Sequence, residues 1–94
     1  MKAVLCTSYG PPENLKVEEV SSPSPRKGEV LIAVKACGVN FPDTLIIEGK
    51  YQFKPEFPFS PGGEVAGVVT SVGEGVSHVQ RGQDVMALTG WGGF

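Results

Sequence analysis

Apolar and polar residues alternate along most of this chain with a period of two, which places every second side chain on the same face of a strand. "KAVLCT" (2–7) alternates and is rich in strand formers. "LKVEEV" (15–20) directs Leu15, Val17 and Val20 towards a core, with Lys16 and Glu18 outward. "EVLIAVKACGV" (29–39) is the strongest strand: Val30, Ile32, Val34 and Ala36 line one face, and Leu31, Ala33 and Cys37 the other. Being apolar on both faces, it is expected at the centre of a sheet. "EVAGVVTSVGEGV" (64–76) predicts a strand and tight turn, and "VQRGQDVMALTG" (79–90) a turn and another strand.

The period breaks in four places. "YGPPENL" (9–15) is turn chemistry, because its two prolines forbid a ladder. "SSPSPRKGE" (21–29) is a short connector. "PDTLIIEG" (42–49) predicts a two-turn helix with Pro42 at its first position, Asp43 at its positive end and Gly49 as its stop. "KYQFKPEFPFSPGG" (50–63) carries four aromatics and three prolines, an irregular loop whose rings need something to pack on. Five or six short strands, one short helix and a long aromatic loop argue for a small, mainly β barrel.

Composition narrows this picture. A chain of 94 residues is one domain at most. Gly 13 and Pro 8 favour turns joining short strands over long helices. The net charge of −2, with no basic cluster, gives nucleic acid or an anionic membrane no electrostatic hold. No apolar run approaches the roughly 18 residues of a membrane span. The opening "MKAVLCTSYG" runs at once into strand sequence and does not read as a signal peptide. Cys6 and Cys37 lie in apolar strand contexts and are expected to be buried free thiols of a cytoplasmic protein.

Polar side chains at the junction "CGVNFPD" (37–43) raise the question of function. Asn40 offers two donors and two lone pairs where strand hands over to helix, and capping the helix is one use for them. Asp43 at a helix start compensates the dipole, or else forms a wall of an active-site cleft. Tyr51, among Phe53, Phe57 and Phe59, suits packing. Glu64, between "PGG" and "VAGVV", is expected to be partly buried in a structural role. "VGEGV" (72–76) and "GWGG" (90–93) do not form Gly-x-Gly-x-x-Gly, so both are turns, and His78 is expected in solvent. Trp91 and Phe94 within the last four residues suggest a chain that is incomplete at its C-terminus.

"CGVNFPDTLIIEGKY", "PFSPGGEVAGVVTSVGEGV" and "ALTGWGGF", in that order and spacing, resemble the N-terminal part of the medium-chain dehydrogenase/reductase superfamily, in its zinc-free quinone oxidoreductase branch. The resemblance implies that residues 1–94 are a GroES-like catalytic domain, a partly open β-barrel with one or two short helices. The Rossmann domain that holds a nicotinamide cofactor in that family is absent from these residues. Zinc-dependent members carry a Cys at the position of Asn40, a His at that of Gly63 and a small hydroxyl residue at that of Pro42. The catalytic zinc site and its proton relay are therefore expected to be missing. The family's Gly-Asp-x-Val turn reads Gly82-Gln83-Asp84-Val85, with Gln83 in place of the acid.

By the same resemblance, Asn40 meets the nicotinamide end of NADPH, Phe41 and Tyr51 face the acceptor, and the Tyr51 phenol is the catalytic donor to the oxygen that gains charge. The implied reaction of the intact protein is hydride transfer from NADPH to a quinone or conjugated carbonyl. The intact protein is expected to be a homo-oligomer, and the 94 residues alone to be inactive. An enoyl-thioester reductase, and a non-enzymatic GroES-like binding or assembly module, are the two other readings.

Overall fold

The computed structural model describes residues 1–94, which build five strands in two sheets. Strands β1 (Lys2–Leu5) and β2 (Lys16–Glu19) form an antiparallel pair, joined through a 3-10 turn at Pro12–Asn14. Strands β3 (Val30–Cys37), β4 (Glu64–Val72) and β5 (Asp84–Leu88) form an antiparallel sheet in the order β3-β4-β5. The one α-helix, α1 (Phe41–Ile46), follows β3. The architecture is mainly β, as the alternation predicts, and the two sheets do not close into a barrel.

The centre of the larger sheet is β4, not the apolar 29–39 segment. β4 pairs on both sides, and its alternation buries Val65, Gly67 and Val69 on one face. β3 is an edge strand, half-buried from Val30 to Ala33 and exposed from Val34 to Ala36. Val17 also departs from expectation: all of β2 is exposed, Val17 to 67%, and Leu15 is the residue of that segment that packs on the core. A two-stranded ribbon has a face for its apolar side chains only where another element covers it.

A cluster of Cys6, Ile46, Ile47 and Phe59, flanked by Leu15 and Tyr51, joins α1 to the end of β1 and the aromatic loop. The Cys6–Phe59 bridge fixes the loop to β1, with backbone bonds of 2.7 and 3.2 Å. The loop aromatics do find partners. Tyr51 meets Phe53, Phe53 meets Trp91, Tyr9 meets Phe57, and Phe57 stacks on Phe59. The last residues are knitted in as well. Gly92, Gly93 and Phe94 donate backbone N–H groups to Ser60, Gly62 and Pro61, and the Phe94 carbonyl accepts from Val4 at 3.1 Å.

Candidate active site

The junction after β3 is built by the Asn40-x-x-Asp43 spacing. Asn40 is the N-cap of α1 with extended backbone, so Phe41 is the first helical residue and Pro42 the second, one position later than expected. The Asp43 carboxylate reaches back to accept the Asn40 backbone N–H at 2.8 Å, which is the reciprocal half of a capping box. The Asn40 side chain in turn faces the Asp43 backbone N–H, the other half of the box, without the geometry of an ordinary hydrogen bond. Its amide is exposed beside Phe41, whose ring is 73% exposed and takes no part in the ring pairs.

Asp43 is the one buried charged side chain, at 6% exposure. Its other oxygen, Oδ1, accepts the Gly62 N–H at 3.3 Å, so the carboxylate spans two segments 19 residues apart. Gly62 has φ +102, and a Cβ there would press on the Cys37 Sγ and the Phe94 ring. The sequence offers Asp43 two roles, compensating the helix dipole or walling an active-site cleft, and neither is this clamp. The capping-box spacing was the available signal, and the second partner had none.

Tyr51 is half-buried against the cluster of Cys6, Ile46, Ile47 and Phe59, and its ring centroid lies 5.5 Å from that of Phe53. No hydrogen bond or ring contact brings it to Asn40 or Phe41. A cleft of about 580 Å³ includes Cys37, Gly38, Glu64, Ala66, Met86 and Leu88, and its lining on β3 stops at Gly38, two residues before Asn40. A second, of about 610 Å³, includes Ile32, Val34, Thr70, Trp91 and Phe94. Neither is lined by Asn40, Phe41 or Tyr51.

Two expectations about buried groups are corrected. Glu64 is exposed, because it begins β4 at the mouth of the first cleft. Cys6 is buried as expected, but Cys37 is only half-buried, its sulfur held beside Gly62 and Gly93. Burial, and then the carboxylates of Asp43 and Glu64, push the Cys37 thiol up, and burial does the same for Cys6. Both therefore stay protonated and weakly nucleophilic at neutral pH. His78 is exposed in its turn.

The zinc-ligand positions that the resemblance implies fall at Asn40 and Gly63. No group of three or more His, Cys, Asp or Glu side chains is placed to hold a metal ion. Asn40 and Gly63 occupy two of the positions at issue, and a Cβ at Gly63 would come within 3.2 Å of the Gly90 carbonyl.

Residues 26–93 match the alcohol dehydrogenase GroES-like domain family. The chain belongs to that family. It is 43% identical over 90 residues to the quinone oxidoreductase of Rattus norvegicus, which covers 95% of this chain and 27% of the relative. The Escherichia coli quinone oxidoreductase complexed with NADPH superposes with a TM-score of 0.88 at 35% identity, over 95% of this chain and 27% of that one. A cobalt- and zinc-bound thermostable alcohol dehydrogenase from Pyrobaculum aerophilum superposes with a TM-score of 0.83 at 44% identity, over 92% of this chain and 26% of that one. The chain thus spans about a quarter of the length of the relatives it matches.

Proposed function

We propose that these residues are the N-terminal, GroES-like part of a cytoplasmic, zinc-independent oxidoreductase that moves a hydride from NADPH to a quinone or conjugated carbonyl. The observation that carries the reading is the 43% identity to a quinone oxidoreductase across nearly the whole chain. It is supported by Asn40 and Gly63, neither of which is among the usual zinc ligands. The metal-bound relative is equally similar overall, so the distinction rests on these two positions.

The residues present suit the nicotinamide end of such a cofactor. The Asn40 amide is exposed, and its NH2 donors, which capping does not use, are available to a polar, uncharged group. When bound, the cofactor supplies the hydride; its phosphates are left to a domain outside these residues. Phe41 offers an apolar wall for a flat acceptor. As hydride adds, the acceptor oxygen gains negative charge, and without a metal that charge needs hydrogen-bond donors. In this reading the Tyr51 phenol takes that role and returns the proton.

The test is turnover by the full-length protein that contains this chain. NADPH oxidation is expected with a benzoquinone and to be much slower with crotonyl thioester. The reverse ranking would make it an enoyl reductase, and no oxidation with either would overturn the reading. Metal analysis of the same preparation is expected to find well under one zinc per chain. Stoichiometric, tightly held zinc would show that Asn40 and Gly63 do not decide the matter.

A further inference from the structure

Asp43 is buried, and each of its carboxylate oxygens accepts a backbone N–H from a different segment: Oδ2 from Asn40 at 2.8 Å and Oδ1 from Gly62 at 3.3 Å. Those segments are the corner that carries Asn40 and Phe41, and the loop that leads into β4. The 60–62 loop in turn accepts from Gly92, Gly93 and Phe94 and, at the Gly62 carbonyl, from the Thr89 hydroxyl at 3.0 Å. One side chain therefore ties the Asn40 corner to the sheet through a loop that is itself held at several points.

Alternatives for the Asn40 corner are few. Its side chain faces the Asp43 N–H without an ordinary hydrogen bond, and Val39, Asn40, Phe41 and Pro42 are all exposed. Apart from chain connectivity, what holds it is the Gly38 N–H to the Glu64 carbonyl at 3.3 Å, the first turn of a six-residue helix, in which the Thr44 hydroxyl donates to the Phe41 carbonyl at 2.7 Å, and Asp43. A carboxylate that receives two N–H groups is charge-assisted at both, so it is the strongest of these restraints.

We propose that Asp43 is a positioning residue: by clamping the Asn40 and Gly62 amides it sets where the Asn40 side chain and Phe41 ring stand relative to β4, and hence how well a nicotinamide cofactor is received. This rests on the reading of Asn40 given above. Asp43 itself need not touch cofactor or acceptor.

Asp43→Asn separates clamp from fold, because an amide presents one acceptor oxygen and one NH2 in place of two acceptors, so one of the two backbone N–H groups loses its partner. Asp43→Glu keeps both acceptors but displaces them by a methylene. Amide hydrogen exchange and steady-state kinetics on the full-length protein provide two independent readouts. In Asp43→Asn, exchange at Asn40 or Gly62 is expected to speed at least tenfold while Val68 and Val69 on β4 stay protected. The KM for NADPH is expected to rise about tenfold, with kcat within about threefold. Asp43→Glu is expected to lie between Asn and wild type in both.

Faster exchange with an unchanged KM would make Asp43 purely structural and overturn the proposal, as would unchanged exchange at both amides. Loss of β4 protection in both variants would show a determinant of the fold instead, which also overturns it. A wild-type protein without NADPH turnover would sink the functional reading instead, and the exchange data would still report on the clamp.

Discussion

Gly67→Ala is expected to remove much of the stability of this fold, although it adds a single methyl group. Gly67 lies at the middle of β4, buried, opposite Val34 on β3 and Val85 on β5. A Cβ there would overlap the Ala33 carbonyl oxygen and come within 2.8 Å of the Ile32 methyl Cγ2. The obstacle is main chain, so no rotamer change relieves it, and the β3–β4 pairing has to shift near the irregularity it already carries between Val34 and Ala36. Over-packing of this kind costs about 3 kcal/mol at the upper end of the usual range. For a domain of this size that is a fall in Tm of roughly 12–24 °C. Gly75→Ala is the control. Its φ of +84 makes Ala unfavourable, but nothing lies within 4 Å, so about 1 kcal/mol is expected. Thermal and urea unfolding followed by circular dichroism would read both. If Gly67→Ala costs no more than Gly75→Ala, the close approach of β3 to β4 is not a constraint on the sequence.

Gly67 also shows why the strand order was not legible. Residues 29–39 and 64–72 are both apolar on two faces, and alternation says which side chains share a face, not which strand has neighbours on both edges. The same limit explains Val17. Its period is that of a strand, and β2 is a strand, but coverage of its face depends on elements far away in sequence. Local chemistry was more informative. Proline and glycine marked the turns, Gly49 at φ +72 ends the helix region, and the 42–49 segment gives α1 to within a residue or two at its start. The site was legible to the same depth. Asn40 was visible at the helix cap because capping is a local pattern, whereas the Asp43–Gly62 bond, the fit of Gly62 against Cys37 and Phe94, and the return of residues 92–94 to 60–62 are long-range pairings that leave no period in the sequence.

Tyr51→Phe, in the full-length protein, is expected to lower turnover by about 10–1,000-fold, comparable with or below the loss of one oxyanion donor. The change keeps the ring and therefore its contacts with Phe53 and with the Cys6, Ile46, Ile47 and Phe59 cluster. The Tyr51 hydroxyl makes no internal hydrogen bond, and the structure has no buried unpartnered side-chain oxygen or nitrogen, so the hydroxyl is reached by solvent. Its removal should consequently leave the unfolding midpoint nearly unchanged. A phenol that packs by its ring and leaves its oxygen to solvent is suited to meeting a carbonyl oxygen from outside. Asn40→Ala is the paired variant. It should cost no more than about 1 kcal/mol of capping, since the Asn40 side chain faces the Asp43 N–H without an ordinary hydrogen bond, and it should mainly raise the KM for NADPH while Tyr51→Phe mainly lowers kcat. A rate for Tyr51→Phe within about twofold of wild type on both quinone and enoyl substrates, only about 0.4 kcal/mol, would remove Tyr51 from the chemistry. It would then be a packing residue that holds the aromatic loop against α1, and the acceptor oxygen would have to find its donor elsewhere.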